Sequence, residues 1–208
     1  MLKVEDLHVA VGDKPILKGL NLHIKPGETH VLFGPNGSGK STLLGAVMGF
    51  ERYQVTGGRI FFNGEDITSL SVNERAKLGI GIAFQRPPVL RGVSLGDLLK
   101  AAGPAHNNVD EMAEPLHLGS FLDRDVNYGF SGGEIKRSEM LQLLVQSPNF
   151  VLLDEPESGV DLENIALIGQ AINQLLQKDG FRGNERCRRE MKEGRNRAGL
   201  IITHTGYI

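Results

Sequence analysis

Cysteine is almost missing from this 208-residue chain. Cys187 stands alone, so one chain can hold neither a disulfide framework nor a cysteine-based metal cage. Ligand-spaced histidine is missing too: His8, His23, His30, His106, His117 and His204 contain no HxxxH pair. No run approaches the roughly 18 consecutive apolar residues that a membrane-crossing helix needs. Charge is nearly balanced at −2, which gives no overall pull toward nucleic acid or an anionic membrane. The first residues, MLKVEDLHVAVGDK, carry acidic side chains where a signal peptide needs an apolar core. Together these absences predict a cytoplasmic protein with no nucleic-acid partner and no direct membrane insertion.

What is present is ordinary globular material, 40% hydrophobic and 23% charged, enough for one sizeable domain. Glycine is the exception, at 27 residues. It falls at strand-to-helix junctions and turns rather than in a low-complexity tract. Alternation over 2–11 and 15–24 predicts two antiparallel strands joined at Gly12-Asp13. Short apolar strands are predicted at 29–33, 59–63, 80–84, 150–153 and 200–203. Helices are predicted at 40–49, 94–102, 109–118, 133–146 and 162–177. Strands alternating with helices predict an α/β core, with an antiparallel β portion at the front. The helical block at about 87–146 reads as an inserted subdomain of a single domain, leaving 1–86 and 147–208 as the core. Residues 178–197 carry eight basic side chains against four acidic ones. They read as a solvated connection, or as a docking surface for an acidic partner.

Three motifs carry chemistry. The first is Gly34-Pro35-Asn36-Gly37-Ser38-Gly39-Lys40-Ser41-Thr42, a match to G-x-x-x-x-G-K-[ST]. It follows a predicted strand and opens a predicted helix, as a phosphate cradle must. Backbone N–H groups then point inward, and the helix N-terminus favours the anion. Lys40 would reach the β- and γ-phosphates of ATP, and the Ser41 hydroxyl would ligate Mg²⁺. The second is the apolar strand Phe150–Leu153 followed by Asp154 and Glu155. Asp154 is the candidate second Mg²⁺ residue, and Glu155 could polarise an attacking water. The third is Ser131-Gly132-Gly133-Glu134, another anion-binding turn at the start of a predicted helix.

With a cradle already present, a second such turn resembles the signature of the ABC ATPase superfamily. That resemblance implies a P-loop NTPase of the ABC nucleotide-binding-domain type and an ATPase that forms an ATP-dependent homodimer. The signature turn of one subunit would close over ATP held by the cradle of another. It also implies that Gln85 is the Q-loop residue, acting in catalysis and on Mg²⁺. Ser158 and Asp161 would belong to the D-loop, and His204 would be the catalytic switch histidine. Within the superfamily, MGFERYQVTGGRIFFNGEDITSL, ERAKLGIGIAFQRPPVLRGVS and NYGFSGGEIKRSEMLQLLVQSPNFVLLDEPESGVD are similar to the SufC family. The FSGGE turn also differs from the transporter-type LSGGQ. The SufC family comprises the ATPases of the Suf iron–sulfur cluster assembly machinery. This implies SufB/SufD-type scaffold proteins as partners; the alternative is the ATPase subunit of an ABC membrane transporter. Family members continue past the equivalent of Ile208, so the resemblance implies a chain shortened at its C-terminus. Lys136 is expected to pair with Glu155 in the resting enzyme, or else to be an exposed helix lysine.

Overall fold

Alternating apolar side chains put β1 (Leu2–Val11) and β2 (Lys14–Ile24) side by side as an antiparallel pair in the computed structural model. The structure describes residues 1–104, 107–176 and 197–203. His106, Cys187, His204 and all of the basic stretch except Arg197 lie outside the described residues. Two compact units are present, and the chain passes between them several times. Among the described residues, 1–82, 149–154 and 197–203 form the first unit, and 83–104, 107–148 and 155–176 form the second.

The first unit holds two four-stranded sheets. One runs β2-β1-β4-β5, with β4 spanning Gln54–Phe62 and β5 Glu65–Asp66. The other runs β3-β8-β7-β6, comprising Thr29–Leu32, Ala198–Ile202, Phe150–Asp154 and Ile80–Ala83 respectively. Within it, β3, β8 and β7 pair in parallel. Helix α1 (Lys40–Met48) is buried along six consecutive residues, Leu43 to Met48, because apolar groups cover it on every side. Leu2, Leu7, Ile24, Leu44, Ile60, Phe62, Phe150 and Leu200 share one core. The Phe62 and Phe150 rings meet edge-on at 6.1 Å.

Two features here differ from the sequence expectation. Strand β4 starts at Gln54, five residues ahead of the strand expected at 59–63, because β1 bulges opposite it around Asp6 (φ 45°). A short helix α2 (Val72–Lys77) was not expected; its signal is the capping box of Ser71 and Glu74.

The second unit holds α3 (Leu95–Ala102), α4 (Val109–Ala113), α5 (Gly132–Gln146) and α6 (Leu162–Leu175). The helix expected over 109–118 breaks at Ala113. Pro115 cannot continue an α-helix, and Glu114–Leu116 tightens into a 3₁₀ turn ending at His117 in the left-handed region. Arg137 of α5 donates to the carbonyls of Leu116 and His117, satisfying that turn from below.

Candidate functional site

The cradle lies between the end of β3 and the start of α1, and residues 35–38 are exposed. Gly39, the residue that begins the helix, has φ 95°, and a Cβ there would meet Leu17 at 2.8 Å. Only glycine satisfies both conditions. The first backbone N–H groups of α1 have no carbonyl within the helix to pair with, and no side chain caps them. They are donors directed at the loop. Lys40 Nζ donates to the carbonyls of Gly34 (2.8 Å) and Pro35 (3.1 Å), so its ammonium is held over the same loop. Donors, positive charge and the positive end of a helix dipole therefore converge on one exposed loop, which is what a polyphosphate requires.

Asp154 closes β7 and is 9% exposed. Its position follows from register: Asp154 and Leu32 are both opposite Ile202 of β8, on either side. Two strand spacings put Asp154 and Leu32 about 10 Å apart at the carboxyl edge of the sheet. Asp154 therefore ends its strand at the edge from which the cradle springs. The expected metal ligands of this unit, Ser41 and Asp154, offer a hydroxyl and a carboxylate, hard oxygen donors suited to Mg²⁺.

In the second unit, Gln85 Nε2 donates to Glu155 Oε2 at 2.7 Å. Sequence reasoning picked both residues, separately, and the fold joins them across 70 positions. Glu155 has φ 49°, a conformation that a non-glycine residue rarely adopts. Its carbonyl accepts from Ser158 N, so the chain turns sharply right after the strand. The carboxylate is thus aimed by a strained backbone and fixed by an amide.

Lys136 does not take the partner expected for it. Its Nζ lies 3.2 Å from Glu139 Oε2 and donates to the Phe84 carbonyl, and the residue is 3% exposed. A helix places residues three apart on one face, and this face is buried. Glu139 also accepts from Phe84 N–H at 2.7 Å. Burial pushes its carboxyl up from the usual range, against the pull of Lys136 and the Phe84 amide. Glu139 was missed in the sequence; the available signal was a charge pair at i, i+3 inside an otherwise apolar helix face.

The signature turn is a capping box. Ser131 Oγ accepts from Glu134 N–H at 3.4 Å, and Glu134 Oε2 accepts from Ser131 N–H at 2.7 Å. Ser131 and Gly132 are exposed. A Cβ on Gly133 would meet the Asn164 side chain at 2.8 Å, so this glycine lets the starts of α5 and α6 approach. Asp161, expected in the D-loop, is the N-cap of α6 and accepts from Asn164 N–H at 2.9 Å. That backbone bond, followed by the Asn164 side chain, holds its carboxyl below the usual range. Ser158 occupies the turn after Glu155.

With this geometry in place, four likenesses carry weight. The family model described as ABC transporter matches residues 17–158. The Escherichia coli protein named "Probable ATP-dependent transporter SufC" is 43% identical over 198 residues, covering 88% of this chain and 79% of that protein. A "Probable ABC transporter ATP-binding protein" of Streptococcus pyogenes serotype M3 is 40% identical over 193 residues, covering 86% and 75%. A solved nucleotide-free ATP-binding cassette from an ABC transporter superposes with a TM-score of 0.73 at 25% identity, covering 99% of this chain and 81% of that one.

Proposed function

The chain belongs to the ABC transporter family of ATPases, and we propose that it energises iron–sulfur cluster assembly on a SufB/SufD-type scaffold in the cytoplasm. ATP binding and hydrolysis are the activity of this family. ABC ATPase domains work as dimers with partner subunits. The finer reading rests on the 43% identity to the protein named SufC.

In this reading Gly34–Thr42 holds the phosphates of ATP through backbone N–H groups, with Lys40 on the β- and γ-phosphates. Ser41, Gln85 and Asp154 would hold Mg²⁺, which neutralises charge developing on the phosphate oxygens. Glu155 orients the attacking water and accepts its proton, while Gln85 fixes the carboxylate that does so. Ser131–Glu134 of a second copy covers the γ-phosphate. There Ser131 can still donate its hydroxyl hydrogen, because its capping bond uses only an oxygen lone pair. Ser158 and Asp161 shape the turn that presents Glu155 and start α6, and His204 contacts the γ-phosphate.

The deciding experiment is co-purification with SufB- and SufD-type proteins, reading both ATP hydrolysis and iron–sulfur content. The expected result is a complex whose cluster yield falls when Lys40→Ala replaces the wild type. Recovery with integral membrane subunits instead, and no effect on cluster yield, would establish the transporter alternative, which the Streptococcus pyogenes relative's name favours.

A further inference from the structure

Two charged residues on α5 are buried deep in the second unit. Lys136 is 3% exposed and Glu139 is 5% exposed. Taking both charges out of water is costly, and an apolar pair of similar volume would pack at least as well. Their placement therefore needs a reason beyond packing, and the hydrogen bonds supply one.

Both side chains are directed at a single residue of another segment. Glu139 Oε1 accepts the Phe84 N–H at 2.7 Å, and Lys136 Nζ donates to the Phe84 carbonyl. These groups belong to the two peptide planes on either side of the Phe84 Cα. Each plane is rigid, so holding one atom of each restricts the φ and ψ between them. The second plane contains the Cα of Gln85. Gln85 in turn donates to Glu155 at 2.7 Å. In a sheet, a neighbouring strand would bind the N–H and C=O of one residue in this way. Here β6 has ended at Ala83, and two side chains of a helix replace the strand. The 3.2 Å contact between Lys136 and Glu139 keeps the two grips at a fixed spacing.

We propose that the Lys136–Glu139 pair is a positioning device for the hydrolytic step: by clamping both backbone groups of Phe84, it sets where Gln85 meets Glu155. This inference rests on the reading of Gln85 and Glu155 as reaction residues. It also makes α5 mechanically continuous with the site, because the helix that begins at the signature turn carries the clamp one and two turns later. A rearrangement at Ser131–Gly133 would reach Gln85 through side chains already in place.

The test is steady-state ATP hydrolysis by the full chain carrying Lys136→Met and Glu139→Met together, with and without Gln85→Ala. A displacement of about 1 Å at a catalytic group can cost up to a hundredfold. The expected result is a kcat about tenfold lower, an ATP KM within about twofold of wild type, and an unchanged urea midpoint. In the Gln85→Ala background the same double substitution should cost less than about twofold, because its effect passes through Gln85. Wild-type kcat in the double variant, or an undiminished loss on the Gln85→Ala background, overturns the clamp. If the double variant does not fold, Glu139→Gln carries the test. It keeps an acceptor for the Phe84 N–H but drops the charge, so an intermediate kcat is expected and a wild-type kcat refutes. If Gln85→Ala and Glu155→Gln each hydrolyse ATP like wild type, the site reading itself fails. If both are impaired and the clamp variants are not, only the clamp is overturned.

Discussion

Arg75 gives the sharpest test of how the cradle helix is anchored. It is 2% exposed, and its guanidinium donates to four carbonyls: Ala46 (2.7 Å) and Val47 (2.9 Å) in the last turn of α1, Leu70 (2.9 Å), and Thr68 (2.8 Å). Among the described residues no carboxylate pairs with it; the negative end of the α1 dipole stands in for a counter-ion. Burial accordingly pulls its pKa down. Arg75→Met keeps most of the side-chain volume and removes every donor. A hydrogen bond to a charged group is worth about 1.5–3 kcal/mol, but four of them on one group are far from additive, and Met escapes the cost of burying a charge. The net expectation is a loss of about 3–5 kcal/mol, since each buried carbonyl left without its donor costs about 1–3 kcal/mol and these losses are not additive. In urea the midpoint should fall with an unchanged slope, and the melting temperature should fall by roughly 6–20 °C, taking about 2–4 °C per kcal/mol for a chain of this size. Arg75→Lys should recover only part of this, because an ammonium lacks the planar fork that reaches four acceptors. A loss below about 1 kcal/mol for Arg75→Met, or full recovery with Arg75→Lys, would refute the reasoning.

Gly133→Ala forces a Cβ to within 2.8 Å of Asn164 and should push the starts of α5 and α6 apart. ATP-dependent dimerisation followed by light scattering should weaken while nucleotide binding by the monomer persists; unchanged dimerisation would contradict the signature assignment. Glu155→Gln should lower kcat at least about a hundredfold and accumulate ATP-bound dimer, measured by single-turnover hydrolysis and gel filtration. Asp161 is held below its ordinary pKa by the Asn164 backbone bond, so its cap contributes stability above the unfolded value and loses it as pH falls through the folded one. The urea midpoint of wild type should therefore exceed that of Asp161→Ala at pH 7, with the gap closing toward pH 2. Glu139 has the opposite sign. Burial raises its pKa, so its contribution is fullest in acid and declines as pH rises through the folded value. Glu139→Gln, which cannot ionise, should lack that decline when midpoints are compared from pH 4 to pH 8.

The features legible in the sequence share one property: the residues that define them are close together in the chain. The cradle, the helix-opening turn at Ser131–Glu134 and the strand ending in Asp154 each occupy a few consecutive positions. Their backbone geometry is dictated locally, by glycines, cap residues and apolar runs. The parallel strands β3, β7 and β8 and the hairpin β1–β2 were legible for the same reason, through periods of two and short apolar runs. Strand β4 was half missed because its first residues are stabilised by pairing with a bulged β1, which no local pattern announces.

What stayed hidden are contacts between side chains and a distant backbone. Arg75 reads as one more charge on a short polar helix, and nothing nearby says that its guanidinium ends among carbonyls of α1. Lys136 shows the same limit from the other side. Its place on the signature helix leads either to Glu155, distant and chemically attractive, or to an exposed lysine, whereas Glu139 stands one turn away. Helical spacing favours Glu139, and the backbone of Phe84 completes the choice by offering one donor and one acceptor to the pair. A buried charge seeks full satisfaction before it seeks the most reactive neighbour. That preference leaves Glu155 hydrogen-bonded to a neutral amide rather than facing this ammonium.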